Sequence, residues 1–231
     1  MVAPPLALRR SHGVMADPRP LIAVLDYGIG NLRSAQKALE RVGADARLTA
    51  DPALVSDAAG VVLPGVGAFG RCMDALERTG LATVARDVVS RNQLFLGICI
   101  GMQLLYDESE ENPGRSGLGI LPGVVRRLPT GVKHPQIQWN TIDVKRETSL
   151  LAGIAEPSWF YFVHSYAPDD SNHVVATCDY GGSVVAIVER GTVSATQFHP
   201  EKSGANGLAL LHNFVERAGS GALAPRGADA S

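Results

Sequence analysis

The chain has 231 residues, of which 45% are hydrophobic and 19% are charged, and its formal net charge is −2. This length and apolar content suffice for one large α/β core, and a near-neutral chain without a basic stripe is not typical of nucleic-acid binding. The longest apolar runs, such as LFLGICIGMQLLY, are shorter than the roughly 20 residues that span a bilayer, which argues against a membrane protein.

The three cysteines, Cys72, Cys99 and Cys178, show no CxxC or His-rich spacing. This odd set disfavours both a disulfide framework and a zinc site, so we expect a reducing compartment, the cytoplasm. Residues 1–19 are broken by prolines, and residues 218–231 are small, polar and rich in Gly and Pro. We expect both ends to be disordered, which leaves one domain over residues 20–217.

The N-terminal half alternates strand-like and helix-like segments. Residues 21–26 form a continuous apolar run, as a buried parallel strand does, and the segment from Asn31 to Gly43 has helical spacing with an N-cap and a C-terminal glycine. The same criteria predict further strands at 45–50, 60–65 and 93–98, and further helices at 70–80, at 81–92 and from about Ile100. Four alternations predict a doubly wound, mostly parallel sheet with flanking helices.

The C-terminal half consists of short β-branched segments separated by turn signals such as DYGGS and ERGT. This pattern predicts an antiparallel β extension of the sheet. The predicted strands are residues 123–128, 141–145, 159–166, 173–180, 183–190 and 193–198. A last helix is predicted over residues 205–217.

The glycine-rich strand exits exclude two nucleotide-binding motifs. In DYGIGN, which follows the first strand, the third glycine of a dinucleotide fingerprint would fall at Arg33. No glycine-rich loop ends in Gly-Lys-Ser/Thr, so the sequence contains no P-loop. Reactive groups of open parallel sheets nevertheless gather at these exits.

The exit of the fourth strand, GICIGMQ, has the pattern of a nucleophile elbow around Cys99. In such a turn the backbone of the nucleophile is strained and its neighbours within two residues must be small, as Gly97 and Gly101 are. The cysteine would lie at a helix N-terminus, which favours thiolate, and the N–H of Ile100 could donate to an oxyanion. The alternative is a buried structural thiol.

A possible base occurs late in the chain, in SATQFHPEKS. His199 ends a strand-like run, and an extended backbone through Pro200 would place Glu201 on the same face, where its carboxylate could orient the imidazole. The alternative is a surface turn with a solvated glutamate. Together Cys99, His199 and Glu201 suit acyl transfer through a thioester.

Two further stretches complete the candidate site. In VVLPGVGAFG, glycines bracket Val66, whose N–H we predict as the second oxyanion donor; the alternative is a simple tight turn. In FYFVHSY, alternation predicts one buried set of aromatic residues and an opposite face carrying Tyr161, Val163 and Ser165 or their complements. A core strand with a satisfied His164 is the alternative.

The stretches PGVGAFG, GICIGMQLL, YFVHSY and TQFHPEKS, in this order and spacing, resemble the class I glutamine amidotransferases. The resemblance covers about Leu21 to Arg217, and PGVGAF with YFVHSY is typical of the branch whose glutaminase subunit pairs with a (β/α)₈-barrel cyclase in histidine biosynthesis. It implies a glutamine-hydrolysing heterodimer subunit without metal or organic cofactor. It also implies that Cys99, His199 and Glu201 form a catalytic triad.

The resemblance further implies roles for residues around the triad. Those expected to hold glutamine are Gly65, Gln103, Glu111, His164, Ser165 and Tyr166. Those expected to face the cyclase are Asn31, Tyr161 and Lys202. The sequence departs from the family pattern in PQIQWN, where Gln136 and Gln138 replace a histidine and a glycine.

Two other functions use the same residues. A cysteine peptidase would have the same triad but would cleave peptides without a partner. A non-catalytic binding subunit would keep the sheet without activity, although the intact set of Cys99, His199 and Glu201 argues against it.

Overall fold

The computed structural model describes residues 19–169 and 171–221. All of the predicted N-terminal extension except Arg19, and residues 222–231 of the predicted C-terminal tail, lie outside the described residues. None of the helices in the described ranges combines the length and apolar character that a bilayer crossing needs.

The strands largely follow the predicted order. Those of the N-terminal half are β1 (Leu21–Leu25), β2 (Asp45–Thr49), β3 (Gly60–Gly65) and β4 (Leu94–Cys99). Those of the C-terminal half are β5 (Glu108–Ser109), β6 (Val124–Arg127), β7 (Gln136–Thr141), β8 (Asp143–Val144), β9 (Trp159–His164), β10 (Tyr166–Pro168), β11 (Val174–Asp179), β12 (Ser183–Arg190) and β13 (Val193–Thr196). The sequence analysis did not predict β5 and β7.

The helices are α1 (Leu32–Arg41), α2 (Pro52–Asp57), α3 (Phe69–Arg78), α4 (Leu81–Ser90), α5 (Ile100–Gln103) and α6 (Gly204–Gly219), with 3₁₀ turns at Ser149–Leu151 and Pro200–Lys202. The prediction missed α2, although its start carries clear signals: Asp51 caps the Ala53 N–H at 2.9 Å, and proline takes the first helical position. The final helix runs two residues further than predicted.

The central sheet has the strand order β2-β1-β3-β4-β13-β12-β11-β8. Strands β2, β1, β3, β4 and β13 are parallel to one another, whereas β12, β11 and β8 continue the sheet from β13 in antiparallel pairs. The predicted mostly parallel sheet with an antiparallel extension is confirmed.

Strands β3 and β4 are buried at every residue, as their continuous apolar sequences require. In the register of the sheet, Gly65 at the end of β3 lies beside Cys99 at the end of β4. On the other side of β4, Thr196 at the end of β13 lies beside Ile98. The chain exits that the sequence analysis singled out therefore meet at one edge of the sheet.

Strands β7 and β9 form a separate two-stranded antiparallel ribbon. On β9, Phe160 and Phe162 are buried and pack against Phe198, with ring centroids 4.1 and 5.4 Å away. The opposite face carries Trp159 and Tyr161. The predicted alternation of this strand is confirmed.

Candidate active site

Cys99 occupies a strained turn between β4 and α5. Its φ is 55° and its ψ is −110°, which is rare for a residue with a side chain, and the residue is only 3% exposed. The predicted strained elbow is confirmed. The helix after it is a single turn of four residues, Ile100–Gln103, because the chain bends away after Gln103. The expected helix dipole at the sulfur is therefore much weaker than in a long helix.

The glycines around Cys99 are required by close backbone contacts. A Cβ on Gly101 would lie 1.8 Å from the Leu63 carbonyl oxygen, and a Cβ on Gly97 would lie 2.9 Å from the Gly101 carbonyl oxygen. A Cβ on Gly65 would lie 2.8 Å from the hydroxyl of Tyr27, which donates a hydrogen bond to Pro64. These contacts confirm that only small residues fit around the turn.

His199 and Glu201 form a buried pair. The distance between His199 Nδ1 and Glu201 Oε1 is 2.8 Å, and the two side chains are 2% and 3% exposed. The expected extended backbone through Pro200 was wrong, because residues 200–202 form a 3₁₀ turn; that turn still brings the carboxylate to the imidazole. The backbone of His199 is also held, since its N–H donates to the Tyr161 carbonyl at 3.0 Å and its carbonyl accepts from Ser203 Oγ at 2.6 Å.

The electrostatics of the site favour a charged His199. Burial lowers the pKa of His199, but interactions with Cys99 and with the Glu201 carboxylate outweigh burial and raise it to about 9. Nε2 is buried and makes no hydrogen bond of normal geometry to the described residues.

Cys99 and His199 line the same cavity, whose volume is about 360 Å³, within the range of small-molecule sites. The other predicted site residues that line it are Val66, Ile100, Gln103, Glu111, His164, Ser165, Tyr166 and Lys202. Glu201 and Gly65 are not among the lining residues: Glu201 is paired with His199, and Gly65 lies beside Cys99 in the register of the sheet.

The two residues predicted to supply the oxyanion donors, Val66 and Ile100, both line the cavity. Ile100 is the first residue of α5, where a backbone N–H has no partner within the helix. Val66 lies in the loop after β3, and its carbonyl accepts a weak hydrogen bond from the Cys72 thiol at 3.5 Å. This contact holds the peptide group between Val66 and Gly67.

The predicted glutamine-binding residues are tied together by Tyr166. Gln103 Nε2 donates to the Tyr166 carbonyl at 2.8 Å, and Nδ1 of His164 donates to the same oxygen at 2.9 Å. Burial lowers the pKa of His164 to about 4, so its imidazole is neutral at physiological pH. The Oε1 atom of Gln103 is buried with no hydrogen-bond partner among the described residues.

Glu111 reaches the cavity from the loop after β5. Its Oε2 accepts a hydrogen bond of 2.7 Å from the N–H of Phe69, the first residue of α3. The side chain of Asn112 accepts in the same way from Gly70 at 2.8 Å. The N-terminus of α3 therefore fixes the position of this carboxylate beside the cavity.

The three predicted interface residues lie in the 3₁₀ turn after β13, on β9 and at the start of α1. Lys202 lines the cavity, and Tyr161 stands on the exposed face of β9. Asn31 occupies the N-cap position of α1 without a side-chain hydrogen bond to the helix backbone, and its Oδ1 accepts from Ser34 Oγ at 2.8 Å.

The ribbon β7–β9 exposes an apolar patch that comprises Ile137, Trp139, Trp159 and Tyr161. Ile137, Trp139 and Trp159 are 57%, 48% and 49% exposed, unusually high for large apolar side chains, and Trp139 packs edge-on against Tyr161 with ring centroids 6.0 Å apart. The glutamine at position 138 sits in regular strand backbone rather than the left-handed conformation that a glycine could adopt.

The sequence analysis missed Pro135 and Gln197, and it named Gly67 and Val163 without assigning them a role in the site. Gly67, Pro135 and Val163 line the cavity, and Gln197 contacts Cys99 and Gln103 from behind it. Gln197 stands within the quoted stretch TQFHPE, two residues before His199, but its contacts are distant in sequence and leave no local signal. Within residues 19–169 and 171–221 there is no cluster of three or more His, Cys, Asp or Glu side chains that could hold a metal ion.

The family model for class-I glutamine amidotransferases matches residues 23–218. The imidazole glycerol phosphate synthase subunit HisH of Methanothermobacter thermautotrophicus is 49% identical over 197 residues, which cover 85% of this chain and 98% of that protein. The HisH subunit of Moorella thermoacetica is 46% identical over 197 residues, covering 84% and 94%. A crystal structure of a glutamine amidotransferase has a similar fold, with a TM-score of 0.69 at 23% identity, covering 86% of this chain and 98% of that one.

Proposed function

Because this chain belongs to the class I glutamine amidotransferase family, we propose that it is the glutaminase subunit of an imidazole glycerol phosphate synthase. It hydrolyses L-glutamine to glutamate and delivers the ammonia to a cyclase subunit in histidine biosynthesis. The observation that carries the proposal is the single cavity shared by Cys99 on its strained turn and His199 backed by Glu201.

The first half of the reaction forms a thioester. The Cys99 thiolate attacks the side-chain amide carbon of glutamine, and the N–H groups of Val66 and Ile100 stabilise the resulting oxyanion. The His199 imidazolium then gives its proton to the amide nitrogen as the carbon–nitrogen bond breaks. Ammonia leaves, and the glutamyl group remains on the sulfur.

The second half of the reaction restores the enzyme. His199, now neutral, takes a proton from a water molecule that attacks the thioester carbon through the same oxyanion. The carbon–sulfur bond breaks, glutamate leaves, and thiolate and imidazolium are regenerated. Glu201 keeps the imidazole in one orientation throughout and stabilises its charged form.

Contacts in the cavity support a role for Gln103 and Glu111 in holding the amino-acid end of glutamine. Gln103 Nε2 is occupied by the Tyr166 carbonyl, so only its Oε1 can meet the ligand, and this atom suits an ammonium group. The carboxylate of Glu111, anchored on α3, suits the same group. Backbone groups of Ser165 and Tyr166 complete this part of the proposed binding site.

The proposed partner is a (β/α)₈-barrel cyclase, which forms a heterodimer with this subunit. The apolar patch of β7–β9 supports this, since such a patch is unusual on a monomer and lies on the ribbon whose Val163 lines the cavity. Lys202 lies at the same cavity, and its cationic side chain suits an acidic group of the partner. We place this subunit in the cytoplasm, where its free cysteines at positions 72, 99 and 178 stay reduced.

Assays of glutamate and ammonia release, with and without the cyclase subunit, test the proposed activity. We expect the complex to hydrolyse glutamine and the free chain to be a poor glutaminase. Cys99→Ala should abolish release while the fold stays intact, whereas Cys178→Ala, a matched change at a buried cysteine outside the cavity, should keep it. Ammonia release that survives in Cys99→Ala would refute the proposed nucleophile.

Binding measurements test the proposed interface. Trp139→Ala and Lys202→Ala should weaken association with the cyclase, because one removes apolar contact area and the other a rim charge. Lys145→Ala provides the control, since Lys145 is exposed next to β8 at the far edge of the central sheet. Equal affinities for all three variants would place the cyclase on another surface.

A further inference from the structure

A buried amide links the proposed nucleophile to the proposed glutamine-binding residue. Gln197 is fully buried, its Nε2 donates to the Cys99 sulfur at 3.8 Å, and its Oε1 accepts from Gln103 Nε2 at 3.1 Å. Burial of an amide is costly unless its groups find partners, and here these contacts are side chains of the site. Gln93 differs from Gln197 in this respect, because its Nε2 donates only to backbone carbonyls, those of Val55 and Ala58.

The direction of these hydrogen bonds is fixed by one backbone carbonyl. The carbonyl of Tyr166 can only accept, so the Gln103 atom 2.8 Å from it must be the donor Nε2. The same nitrogen also contacts Gln197, which must therefore present Oε1 to Gln103. The Nε2 of Gln197 is then left to donate to the sulfur, and two glutamine side chains connect Cys99 to the accepting carbonyl of Tyr166.

A hydrogen-bond donor beside the Cys99 sulfur compensates for the weak dipole of the short helix α5. A single helical turn gives the sulfur little help from a dipole, and the thiolate needs stabilisation in a buried site. The imidazolium of His199 supplies positive charge from another direction. An N–H directed at the sulfur favours thiolate over thiol, because a hydrogen bond to a charged group is stronger than one to a neutral group.

We propose that Gln197 is a further residue of the glutaminase site: its side-chain N–H stabilises the Cys99 thiolate, and Gln103 holds it in the orientation that allows this. The inference rests on the proposed function, because it assigns Cys99 as the nucleophile. It also gives Gln103 a second role, since the residue that offers Oε1 to glutamine aligns the donor of the nucleophile.

Alkylation of Cys99 by iodoacetamide as a function of pH tests the inference on the full chain without glutamine. The rate follows the thiolate population, and mass spectrometry of the Cys99 peptide separates it from Cys72 and Cys178. In Gln197→Met, which keeps the length of the side chain but has no N–H, we expect alkylation at pH values below the midpoint of the profile to slow about tenfold, the usual effect of a lost hydrogen bond to a charge. The midpoint of the profile should move about one unit upward.

Two more variants separate a donor from a packing group. Gln197→Glu keeps an acceptor for Gln103 but turns a negative oxygen toward the sulfur, so it should slow alkylation more than Gln197→Met does. Gln136→Met is the matched control, since Gln136 is as fully buried and donates to the sulfur of Cys178 at 4.0 Å. This control should leave the Cys99 profile unchanged.

An unchanged Cys99 profile in folded Gln197→Met and Gln197→Glu would overturn the inference, as would an equal shift in the control. A variant that fails to fold is recognised by alkylation of its otherwise buried Cys72 and Cys178. If the Gln197 variants fail in this way, Gln103→Met replaces them, because it removes the hydrogen bond that aligns Gln197. The Cys99 profile of Gln103→Met must then shift to higher pH, or the inference is wrong. Failure of the proposed function looks different, because the wild-type complex would then release no glutamate.

Discussion

Replacement of Glu201 by glutamine tests whether its charge, rather than its shape, prepares His199 for proton transfer. The two side chains meet at 2.8 Å and are 2% and 3% exposed, so water cannot take over from the carboxylate. The pKa of His199 is raised to about 9 against the usual 6.5. This difference of 2.5 units corresponds to about 3 kcal/mol in favour of the imidazolium, net of burial and with contributions from Cys99 and Glu201.

Glutamine retains a hydrogen bond to Nδ1 and loses only the charge. A charged hydrogen bond exceeds a neutral one by about 1 to 2 kcal/mol, so we expect kcat of Glu201→Gln to fall about 5- to 30-fold. The alkaline limb of the pH–rate profile reports loss of the imidazolium, and it should move about one unit lower.

The measurement is glutamine hydrolysis by the complex with the cyclase from about pH 6 to about pH 10. Glu189→Gln is the matched control, because Glu189 is a largely buried glutamate paired with Arg217 at 2.8 Å outside the cavity. The control should lower stability without moving the pH profile. A Glu201→Gln enzyme with unchanged kcat and an unchanged alkaline limb would refute the role given to the carboxylate.

Gly101→Ala should cost about 3 kcal/mol or more in the free energy of unfolding, since its Cβ would lie 1.8 Å from a carbonyl oxygen of β3; in the control Gly219→Ala, the added Cβ meets ordinary contacts, and equal stabilities would contradict the close approach. Cys99→Gly should unfold at no lower temperature than Cys99→Ala, because glycine relieves the positive φ; the reverse order would mean that the turn is unstrained. Because the pKa of His164 is lowered to about 4, the folded state takes up its proton later than the unfolded state, so stability falls between about pH 6.5 and about pH 4 by up to about 3 kcal/mol. Denaturant unfolding should show this loss disappear in His164→Gln but persist in His212→Gln, where the side chain is exposed.

The sequence predicted best where the physical constraint is local. The turn at Cys99 is such a case, because two glycines at fixed spacing are needed wherever strand and helix crowd around a projecting side chain. The parallel core was predictable for a similar reason, since strands buried on both faces are continuously apolar. The contact of His199 with Glu201 was expected for the wrong reason, because a 3₁₀ turn, not an extended backbone, brings them together.

Features set by distant contacts could not be predicted in the same way. The length of α5 depends on packing after Gln103, and the hydrogen bond of Gln197 to Cys99 joins residues far apart in the chain. Strand β7 was missed because QIQWN lacks the β-branched pattern of its neighbours and gains its regularity from pairing with β9. Helix α2 is different, because Asp51 and Pro52 are typical of a helix N-terminus and would have predicted it.

Strand β9 has a mechanical consequence for the assembled enzyme. Its Tyr161 side chain stands in the exposed apolar patch, while the carbonyl of the same residue accepts the N–H of His199 at 3.0 Å. A partner that displaced the backbone of Tyr161 would therefore also displace the backbone of His199, because one hydrogen bond joins them.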